Sequence, residues 1–532
     1  MKIKEWLVYT RFIFDLPRFL SSKISPSDAV SITKKRLEDR TDNFLKVFKY
    51  FVYANPKSPY LPLLNAAGIT FSDIEKLTKE KGIEKTLEFL RDEGVYFSIE
   101  EFKGLIPVKR KSLEFNVTPQ DFDSSLKIKA QVPKNFKDSR MGGVSTTFGL
   151  NFLEEVSAVQ VSLFMGANID EGEDVDTVIW LAQYPSMPGI GAFLIFLKLG
   201  KPPIKWFSWN PKGYTLGCFT AWLSIKVSVW LANLFSKGVV FPERGEDIKP
   251  ERVLEFIKSH NKSKLMIGAY ANRIIDLCEL AHRQRVSLDK VIFYWTGDQL
   301  TVQKKEQIIK TGAKVISTYG FREMGHIAYS CAQMSSVIDN YHLCSDIVAL
   351  IERKRDVLPG LYARAFLWTG LYLGMSKIMI NIESGDAGII GKAECFCGFS
   401  KIGLDITVSN VHSFEKLLST GAKFYADKIV ELAENILPKE FNAGVSDFQF
   451  VQEDKSEVVL LYISPRVGNI DQERISYVIL NFLRNSPDTK ALIPFILPGE
   501  KVSIKRQEPL VNHKGNILPF VAFNKNLQAI KY

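Results

Sequence analysis

Hydrophobic and polar positions follow a helical period through the first part of this chain. Residues 1–125 carry apolar residues at helical spacing, in capped and charged segments such as Asp28–Lys34 and Thr78–Leu90. No group of side chains in this region points to a particular chemistry. We therefore predict a helical N-terminal region over residues 1–125.

Between about residues 140 and 405, short β-branched apolar runs alternate with helical patterns. The alternation is typical of βα units around a largely parallel sheet, and it predicts the α/β class with a large multi-layer domain over residues 126–411. The predicted strands are Asp176–Ala182, Gly238–Phe241, Lys264–Gly268, Lys290–Trp295 and the run that ends before Tyr319; the predicted helices are Cys218–Phe235, one from Glu251, Arg273–Arg283 and Val302–Thr311.

The pattern changes again near residue 410. A helix over Ala426–Leu437 and an apolar strand over Val458–Ile463 are typical of a compact α+β unit. We therefore predict a small C-terminal domain over residues 412–532.

In an open α/β sheet, ligands bind beyond the carboxyl ends of the strands. Three predicted loops lie there: Gly268–Tyr270, Thr296–Asp298 and Tyr319–Glu323. The third loop is the most informative. A strand end that presents backbone, an aromatic ring and the carboxylate of Glu323 can hold a nucleotide and its magnesium ion, although this combination recurs in many α/β folds.

Composition and charge exclude some classes of protein. With 46% hydrophobic and 24% charged residues, the chain of 532 residues has the composition of a folded protein and not of a disordered one. Its net charge of +10 comes from lysines scattered through every segment, so we do not expect nucleic-acid binding. Phosphate-bearing small substrates fit the positive charge better.

Cysteine usage and hydropathy bear on the compartment. Six cysteines in so long a chain do not form a disulfide framework, and the sequence opens with no recognisable signal peptide, so we expect a cytoplasmic protein. The apolar run Cys218–Phe235 contains Lys226 and several polar residues, which favours a buried helix over a membrane span.

A second set of side chains is independent of the strand ends. Cys331, His342, Cys395 and Cys397 offer four soft or borderline ligands, the last two in a Cys-x-Cys turn that ends at Gly398. Four protein ligands would close a tetrahedral site for a structural zinc ion. The alternative is that the cysteines are small buried hydrophobic residues and that His342 packs on a strand.

The order of these segments resembles the phenylacetate-CoA ligase branch of the adenylate-forming enzymes. The segments that carry the resemblance are Tyr60–Ile69, Leu288–Leu300, Gly312–Cys331 and Ile380–Asp386, and the resemblance extends over most of residues 45–520. Enzymes of this family activate a carboxylic acid with ATP and pass the acyl-adenylate to a thiol, usually coenzyme A.

The resemblance implies a role for several residues. Glu323 would help bind Mg²⁺, Tyr319 and Gly320 would contact adenine, and Asp386 would accept hydrogen bonds from the ribose hydroxyls. Gly297 and Asp298 match the step of the family pattern at which the backbone approaches the nucleotide, although Asp298 could equally be a turn residue. The same branch carries a similar Cys…His…Cys-x-Cys arrangement around zinc.

Three motifs depart from the family pattern. In the phosphate loop, Ser145, Thr146 and Thr147 keep the hydroxyl groups, but Phe148 splits the usual order, and a simple turn before a helix near Asn151 is the alternative. His412 stands where the family usually has arginine, although it could be a surface histidine. Asn516 occupies the position of the family lysine that assists adenylation, and Lys514 lies two residues away.

The expected activity is therefore ATP-dependent activation of a small-molecule carboxylic acid followed by transfer to coenzyme A. Two alternatives stay open: transfer to a carrier-protein thiol or an amine, and a non-catalytic relative that binds a nucleotide or an acyl partner. The resemblance also implies a C-terminal domain that rotates about a hinge near residues 410–415. The sequence names neither the acid nor the oligomeric state, for which a homodimer is one alternative.

Overall fold

A computed structural model describes most of the chain. The described residues are 3–111, 113–124, 150–170, 173–181, 187–207, 216–235, 239–243, 249–260, 262–297, 300–321, 323–334, 340–358, 361–375, 377–413, 426–452, 459–485, 493–511 and 517–522. Spatial contacts group the chain into two units, of which the first comprises residues 1–269, 290–296 and 316–412 and the second comprises residues 270–289, 297–315 and 413–532. The division of the chain at residues 125 and 411 stays a prediction.

Helices dominate the N-terminal region, as the period of the sequence predicts. Capping boxes begin three of them, because the hydroxyls of Ser25, Thr70 and Ser98 accept the backbone N–H three residues later. Within the segment Thr78–Leu90, Gly82, where φ is +83°, separates the end of one helix from the start of the next. The helices are Ile3–Ser21, Pro26–Glu38, Arg40–Val47, the π-helical turn Phe48–Tyr53, Leu61–Ala67, Phe71–Lys81, Ile83–Asp92 and Ile99–Phe102.

An eleven-stranded sheet forms the centre of the first unit. A separate ribbon pairs β1 (Val108–Arg110) with β2 (Leu113–Phe115). The strands of the large sheet are β3 (Val175–Trp180), β4 (Lys205–Phe207), β5 (Lys264–Tyr270), β6 (Val291–Thr296), β7 (Lys314–Phe321), β8 (Gly325–Tyr329), β9 (Tyr341–Leu343), β10 (Val348–Leu358), β11 (Leu361–Gly370), β12 (Ile382–Lys392) and β13 (Ile406–Ser413). Their order across the sheet is β10-β11-β12-β13-β9-β8-β7-β6-β5-β3-β4.

The sheet is mixed, so the α/β class is confirmed but the expectation of a largely parallel sheet is wrong. β3 pairs in parallel with β4 and β5, whereas β7–β8, β8–β9, β9–β13, β10–β11 and β11–β12 are antiparallel. The reason lies in the connections. Two or three residues join β7 to β8 and β10 to β11, whereas a parallel crossover needs about a dozen.

Helices follow or separate the strands of this region. The helix that begins at Leu150 continues through a π-helical turn at Leu153–Ser157 to Asn168. The predicted strand Gly238–Phe241 is wrong for its described residues, since 239–242 are irregular and Glu243 forms only an isolated bridge with Phe207. The other helices are Met187–Lys198, Leu216–Phe235, Pro250–Ser259, Ala271–Arg283, Val302–Ile309 and Gly398–Lys401. None of the described helices is long and apolar enough to cross a membrane.

The second unit contains a four-stranded sheet. Its order is β16 (Ser503–Arg506), β15 (Val459–Ile463), β14 (Phe448–Gln452) and β17 (Phe520–Ala522). In its part after residue 413, one helical segment runs from Ala426 to Glu440 through a π-helical turn, and the other described α-helices are Gln472–Asn485 and Ile493–Ile496. Apolar side chains of the sheet and of these helices form its core, which includes Leu432, Phe450, Leu461 and Ile479.

Candidate functional site

The strand before Glu323 continues farther than the sequence predicts. Strand β7 does not break at Tyr319 and Gly320 but runs to Phe321 and pairs with β8, with a register shift between Tyr319 and Gly320. A Cβ on Gly320 would lie 2.2 Å from the carbonyl oxygen of Gly325, so only glycine fits this close approach. Glu323 lies in the short turn between β7 and β8, four residues after Tyr319.

The antiparallel half of the sheet curls strongly. In the strand order, β7 and β11 are five positions apart, which would separate them by about 24 Å in a flat sheet with strands ~4.8 Å apart. Yet the ring centroids of Tyr319 on β7 and Trp368 on β11 are 5.9 Å apart. The curl therefore brings strands into contact that are not neighbours in the sheet.

The curl joins two of the predicted site residues. The hydroxyl of Tyr319 donates a hydrogen bond of 2.7 Å to Oδ2 of Asp386. Burial, together with the nearby Asp386 carboxylate, raises the pKa of Tyr319 well above its usual value, so this hydroxyl stays protonated at neutral pH. Both side chains nevertheless keep part of their surface exposed.

A bulge in β12 places Asp386. Ala365 of β11 pairs with Ala387 and Leu367 pairs with Glu383, so a single residue of β11 faces three residues of β12. The middle one, Gly385, has a φ of +82°, which favours glycine. The backbone N–H of Asp386 donates to Oγ of Ser384 at 3.3 Å.

The N-terminal region supports the segment that leads to Asp386. The fully buried hydroxyl of Tyr60 donates to the carbonyl oxygen of Ile378 at 3.0 Å and accepts the backbone N–H of Ile380 at 2.9 Å. The buried amide of Asn381 donates to the carbonyl oxygen of Leu87 at 2.8 Å. Tyr60 belongs to one of the segments that carry the family resemblance, and its two hydrogen bonds hold the backbone at Ile378 and Ile380.

Sequence reasoning missed a polar group centred on His326, which lies in strand β8 of the β7–β8 hairpin. Nδ1 of His326 lies 2.9 Å from the hydroxyl of Tyr294, and Nε2 lies 3.5 Å from Oγ1 of Thr296. His326 stands three residues after Glu323, and Gly297, with φ +87°, follows β6. The only signal in the sequence is a single histidine three residues beyond the predicted loop, and it does not reveal its partners.

Other predicted residues are described only in part or not at all. Ser145, Thr146, Thr147, Asp298 and Lys514 lie outside the described residues. His412 belongs to β13, where its backbone but not its side chain is described. The predicted roles of these residues stay predictions.

The four predicted metal ligands come together. Cys331 follows β8, His342 lies on β9, and Cys395 and Cys397 follow β12. Their ligand atoms all lie within 4.8 Å of one another. The pairing of Tyr329 with His342 across β8 and β9 brings the first two ligands together, and the turn before helix Gly398–Lys401 supplies the other two.

The distances fit one tetrahedral ion. Sγ of Cys331 and Sγ of Cys395 are 3.7 Å apart, and Nε2 of His342 lies 3.2 Å from Sγ of Cys395 and 3.3 Å from Sγ of Cys397. Tetrahedral zinc with Zn–S bonds of about 2.3 Å separates two sulfur atoms by about 3.8 Å. The donor set is the Cys₃His combination of structural zinc sites.

A hydrogen bond to the backbone fixes the orientation of the His342 ring. Nδ1 of His342 donates to the carbonyl oxygen of Leu404 at 2.8 Å, which leaves Nε2 with its lone pair toward the thiols. In the metal-free cluster, a hydrogen bond from Cys331 and, when the imidazole is protonated, one from Nε2 of His342 lower the pKa of Cys397 to about 3, against the opposing effect of burial. A thiolate is the form that binds a metal ion.

Comparison with known proteins gives matches among solved structures only. No protein-family model matches the sequence. No curated protein matches it either.

The structural matches are distant. Amide bond synthetase McbA from Marinactinospora thermotolerans is 12% identical, with a TM-score of 0.37 over 70% of this chain and 64% of that chain. MenE from E. coli, with a bound analogue of OSB-AMS, is 10% identical, with a TM-score of 0.33 over 79% and 70%. A malonyl-CoA ligase complex with methylmalonyl-CoA and AMP is 12% identical, with a TM-score of 0.30 over 68% and 67%. The alignment thus spans less than two thirds of the amide bond synthetase, and similarity at this level does not place the chain in a family.

Proposed function

We propose that this chain activates a carboxylic acid with ATP to form an acyl-adenylate. The observation that carries the proposal is the hydrogen bond between Tyr319 and Asp386. The sequence resemblance assigned both residues to one nucleotide site, although sixty-seven positions separate them. A chain in which these two motifs were accidental would have no reason to bring them into contact.

The contact suits a nucleoside. An ionised carboxylate has about four acceptor positions, and the Tyr319 hydroxyl takes one of them, so Asp386 keeps the capacity to accept ribose hydroxyls. The hydrogen bond also holds the carboxylate in one orientation before the ligand arrives. Such preorganisation reduces the entropy lost on binding.

Glu323 is the proposed ligand for Mg²⁺. Magnesium in nucleotide sites is commonly held by one or two carboxylates together with substrate phosphates, so a single glutamate beside the site fits this need. Bound magnesium would neutralise phosphate charge as pyrophosphate leaves. In the same proposal Ser145, Thr146 and Thr147 donate to the phosphates, and Lys514 and His412 supply positive charge.

Coenzyme A is the proposed final acceptor. The matched structures include an amide bond synthetase and a malonyl-CoA ligase, so an amine and a thiol are the two acceptor classes to compare. A carrier-protein thiol is a third. Rotation of residues 412–532 about a hinge near 410–415 would switch the enzyme from adenylation of the acid to transfer of the acyl group.

The Cys₃His group is proposed to hold a structural Zn²⁺. All four ligand positions are filled by protein, which leaves no open position for a substrate or a water. The ion would tie the β8–β9 hairpin to the turn after β12. Both strands β8 and β12 carry or adjoin residues of the proposed nucleotide site.

Pyrophosphate release tests the activity directly. The full chain is incubated with ATP, Mg²⁺ and a panel of aryl, fatty and dicarboxylic acids, with and without coenzyme A or an amine. Acid-dependent release supports adenylation, and acceleration by coenzyme A supports the thioester product. If no acid elicits release while ATP still raises the unfolding temperature, the chain is a nucleotide binder and not a ligase.

A further inference from the structure

A π-helical turn separates the start of helix Leu150–Asn168 from its body. The turn comprises Leu153–Ser157. The body packs on the large sheet, where the ring centroids of Phe164 and Tyr329 are 5.1 Å apart. A π-helical turn interrupts the regular hydrogen bonds of an α-helix and is frequent at functional sites. Contacts at this turn therefore decide how firmly the start of the helix is held.

The first of two glutamates in this turn contacts a buried lysine. Oε1 of Glu154 accepts a hydrogen bond of 2.6 Å from Nζ of Lys198, a residue that is 1% exposed. The same ammonium donates to the carbonyl oxygen of Phe19 and to Oγ of Ser22, both at 2.7 Å. All three donors of the lysine are thus used, and they join the turn to the end of helix Ile3–Ser21.

The second glutamate contacts a different part of the first unit. The hydroxyl of Tyr372, two residues after β11, donates to Oε2 of Glu155. Nη2 of Arg36 donates to the carbonyl oxygen of Glu155, and the guanidinium carbon lies 5.5 Å from the centroid of the Tyr372 ring. Burial, and then the hydrogen bond to the Glu155 carboxylate, raise the pKa of Tyr372, so its hydroxyl remains a donor at neutral pH.

A glycine makes room for the tyrosine ring. A Cβ on Gly374 would lie 2.4 Å from Cε1 of Tyr372 and 2.7 Å from its hydroxyl oxygen. A side chain at this position would therefore displace the ring from its place beside Glu155. Gly374 gives a way to disturb the contact without removing either of the two groups that make it.

The predicted phosphate loop lies just before this helix in the sequence. Thr147 precedes Leu150 by three residues, and three residues of extended chain span about 10 Å. We propose that Glu155 and Tyr372 are positioning residues for the triphosphate of ATP, a role that rests on the proposed function. Their hydrogen bond holds the π-helical turn and with it the start of the helix, from which the phosphate loop extends. In this role neither residue contacts the nucleotide itself.

A comparison of ATP with AMP tests this role. AMP lacks the β- and γ-phosphates, so it depends on the contacts to base and ribose, whereas ATP with Mg²⁺ also depends on the phosphate loop. Isothermal titration calorimetry of the full chain measures both affinities. We expect Tyr372→Phe and Glu155→Ala to weaken ATP binding about fivefold and AMP binding by less than about twofold. Gly374→Ala should act in the same direction.

Two further variants separate positioning from a general structural effect. Glu155→Gln should bind ATP nearly as wild type does, because the amide oxygen still accepts a hydrogen bond from Tyr372. Tyr372→Phe/Glu155→Ala should be no weaker than either single variant, because both substitutions remove the same hydrogen bond. Glu155 is exposed, so we expect its substitutions to leave the unfolding temperature nearly unchanged.

Tyr53→Phe is the matched control. The hydroxyl of Tyr53 donates to the carbonyl oxygen of Ile69 at 3.0 Å elsewhere in the first unit, and its loss should leave both affinities unchanged. Unchanged ATP affinity in Glu155→Ala, or equal weakening of ATP and AMP, would overturn the positioning role and leave the proposed function intact. Wild-type protein that binds neither nucleotide would overturn both.

Discussion

The hydroxyl of Tyr319 lies 2.7 Å from Oδ2 of Asp386, although these residues stand on strands β7 and β12, which are four positions apart in the sheet. The curl of the antiparallel strands creates this contact. It links the hairpin that carries Glu323 to the bulge that carries Asp386. A nucleotide bound there, as proposed, would therefore contact residues of both motifs.

Removing the Asp386 charge should weaken ATP binding. Asp386→Asn replaces an acceptor-only group by an amide, and hydrogen bonds to charged groups contribute ~1.5–3 kcal/mol, or roughly 10- to 150-fold in Kd. Tyr319→Phe should have a smaller effect in the same direction, because it removes only the orienting donor. Isothermal titration calorimetry measures the ATP affinity of both variants. Tyr477→Phe, at an exposed tyrosine of helix Gln472–Asn485, is the control.

Unchanged ATP affinity in Asp386→Asn would remove the carboxylate from the site. A weakening in Tyr319→Phe equal to that in Asp386→Asn would instead show that the hydroxyl contacts the nucleotide itself.

Gly385→Ala should disturb the same site through the backbone. A side chain at φ +82° costs about 1–2 kcal/mol, and the bulge can relieve the strain by shifting Asp386. We expect lower ATP affinity together with a lower unfolding temperature. Gly166→Ala is the matched control, because that glycine lies in a helix where a Cβ meets nothing within 4 Å and should stabilise slightly. Equal effects of the two substitutions would mean that the bulge has no special role.

The sequence predicted the class of fold but not the shape of the sheet. Alternating strand and helix patterns located β3, β5, β6 and β7, because buried strands carry β-branched runs. The curl that joins Tyr319 to Trp368 depends on long-range pairing and left no local signal. The bulge at Gly385 was visible only as a Gly-Asp pair, which is more often an ordinary turn.

The cysteine spacing was more informative than the nucleotide motifs. Cys331, His342, Cys395 and Cys397 are held together in the structure, as the metal hypothesis required. Metal ligands are few and chemically distinctive, so chance clusters are rare. His326 shows the opposite case, because its partners Tyr294 and Thr296 come from another strand and a lone histidine gives no warning of them.

Purified protein should contain one equivalent of zinc. Cys395→Ser and Cys397→Ser should each lose the metal and lower the unfolding temperature by about 5 °C or more, because metal binding stabilises the folded state. Cys278→Ala, at a buried cysteine outside the cluster, should keep the metal. Plasma mass spectrometry measures the content, and wild-type protein without bound metal would contradict the prediction.

Asp276 should make stability fall with rising pH. Burial and then the neighbouring Glu279 raise its pKa to about 6, while Arg273 and Arg466 oppose the shift and Asp447 adds to it. The folded state therefore holds this proton more tightly than the unfolded chain does. Stability contributed by the neutral carboxyl is complete below about pH 4 and is lost as the pH rises through about 6.

Asp276→Asn should thus stabilise the protein by about 2 kcal/mol near pH 8 and have little effect near pH 4. Thermal unfolding across this pH range measures the difference, with the exposed Glu255→Gln as the control. A stabilisation that is the same at both ends of the range would show that the charge is not the cause.

The buried ion pair of the second unit gives the last prediction. Nζ of Lys304 lies 2.8 Å from Oε1 of Glu434, with side chains 5% and 2% exposed, and Thr301 donates to the other carboxylate oxygen at 2.6 Å. Lys304→Met would leave the glutamate buried without its cation and should cost about 3–5 kcal/mol. Lys304→Met/Glu434→Leu should recover most of that loss, since both charges are gone.

The exposed pair of Lys79 and Glu75 provides the control, where Lys79→Met should change stability by less than about 1 kcal/mol. Chemical denaturation compares the four proteins, and a Lys304→Met cost no larger than that of Lys79→Met would mean that Glu434 finds another partner or takes up a proton.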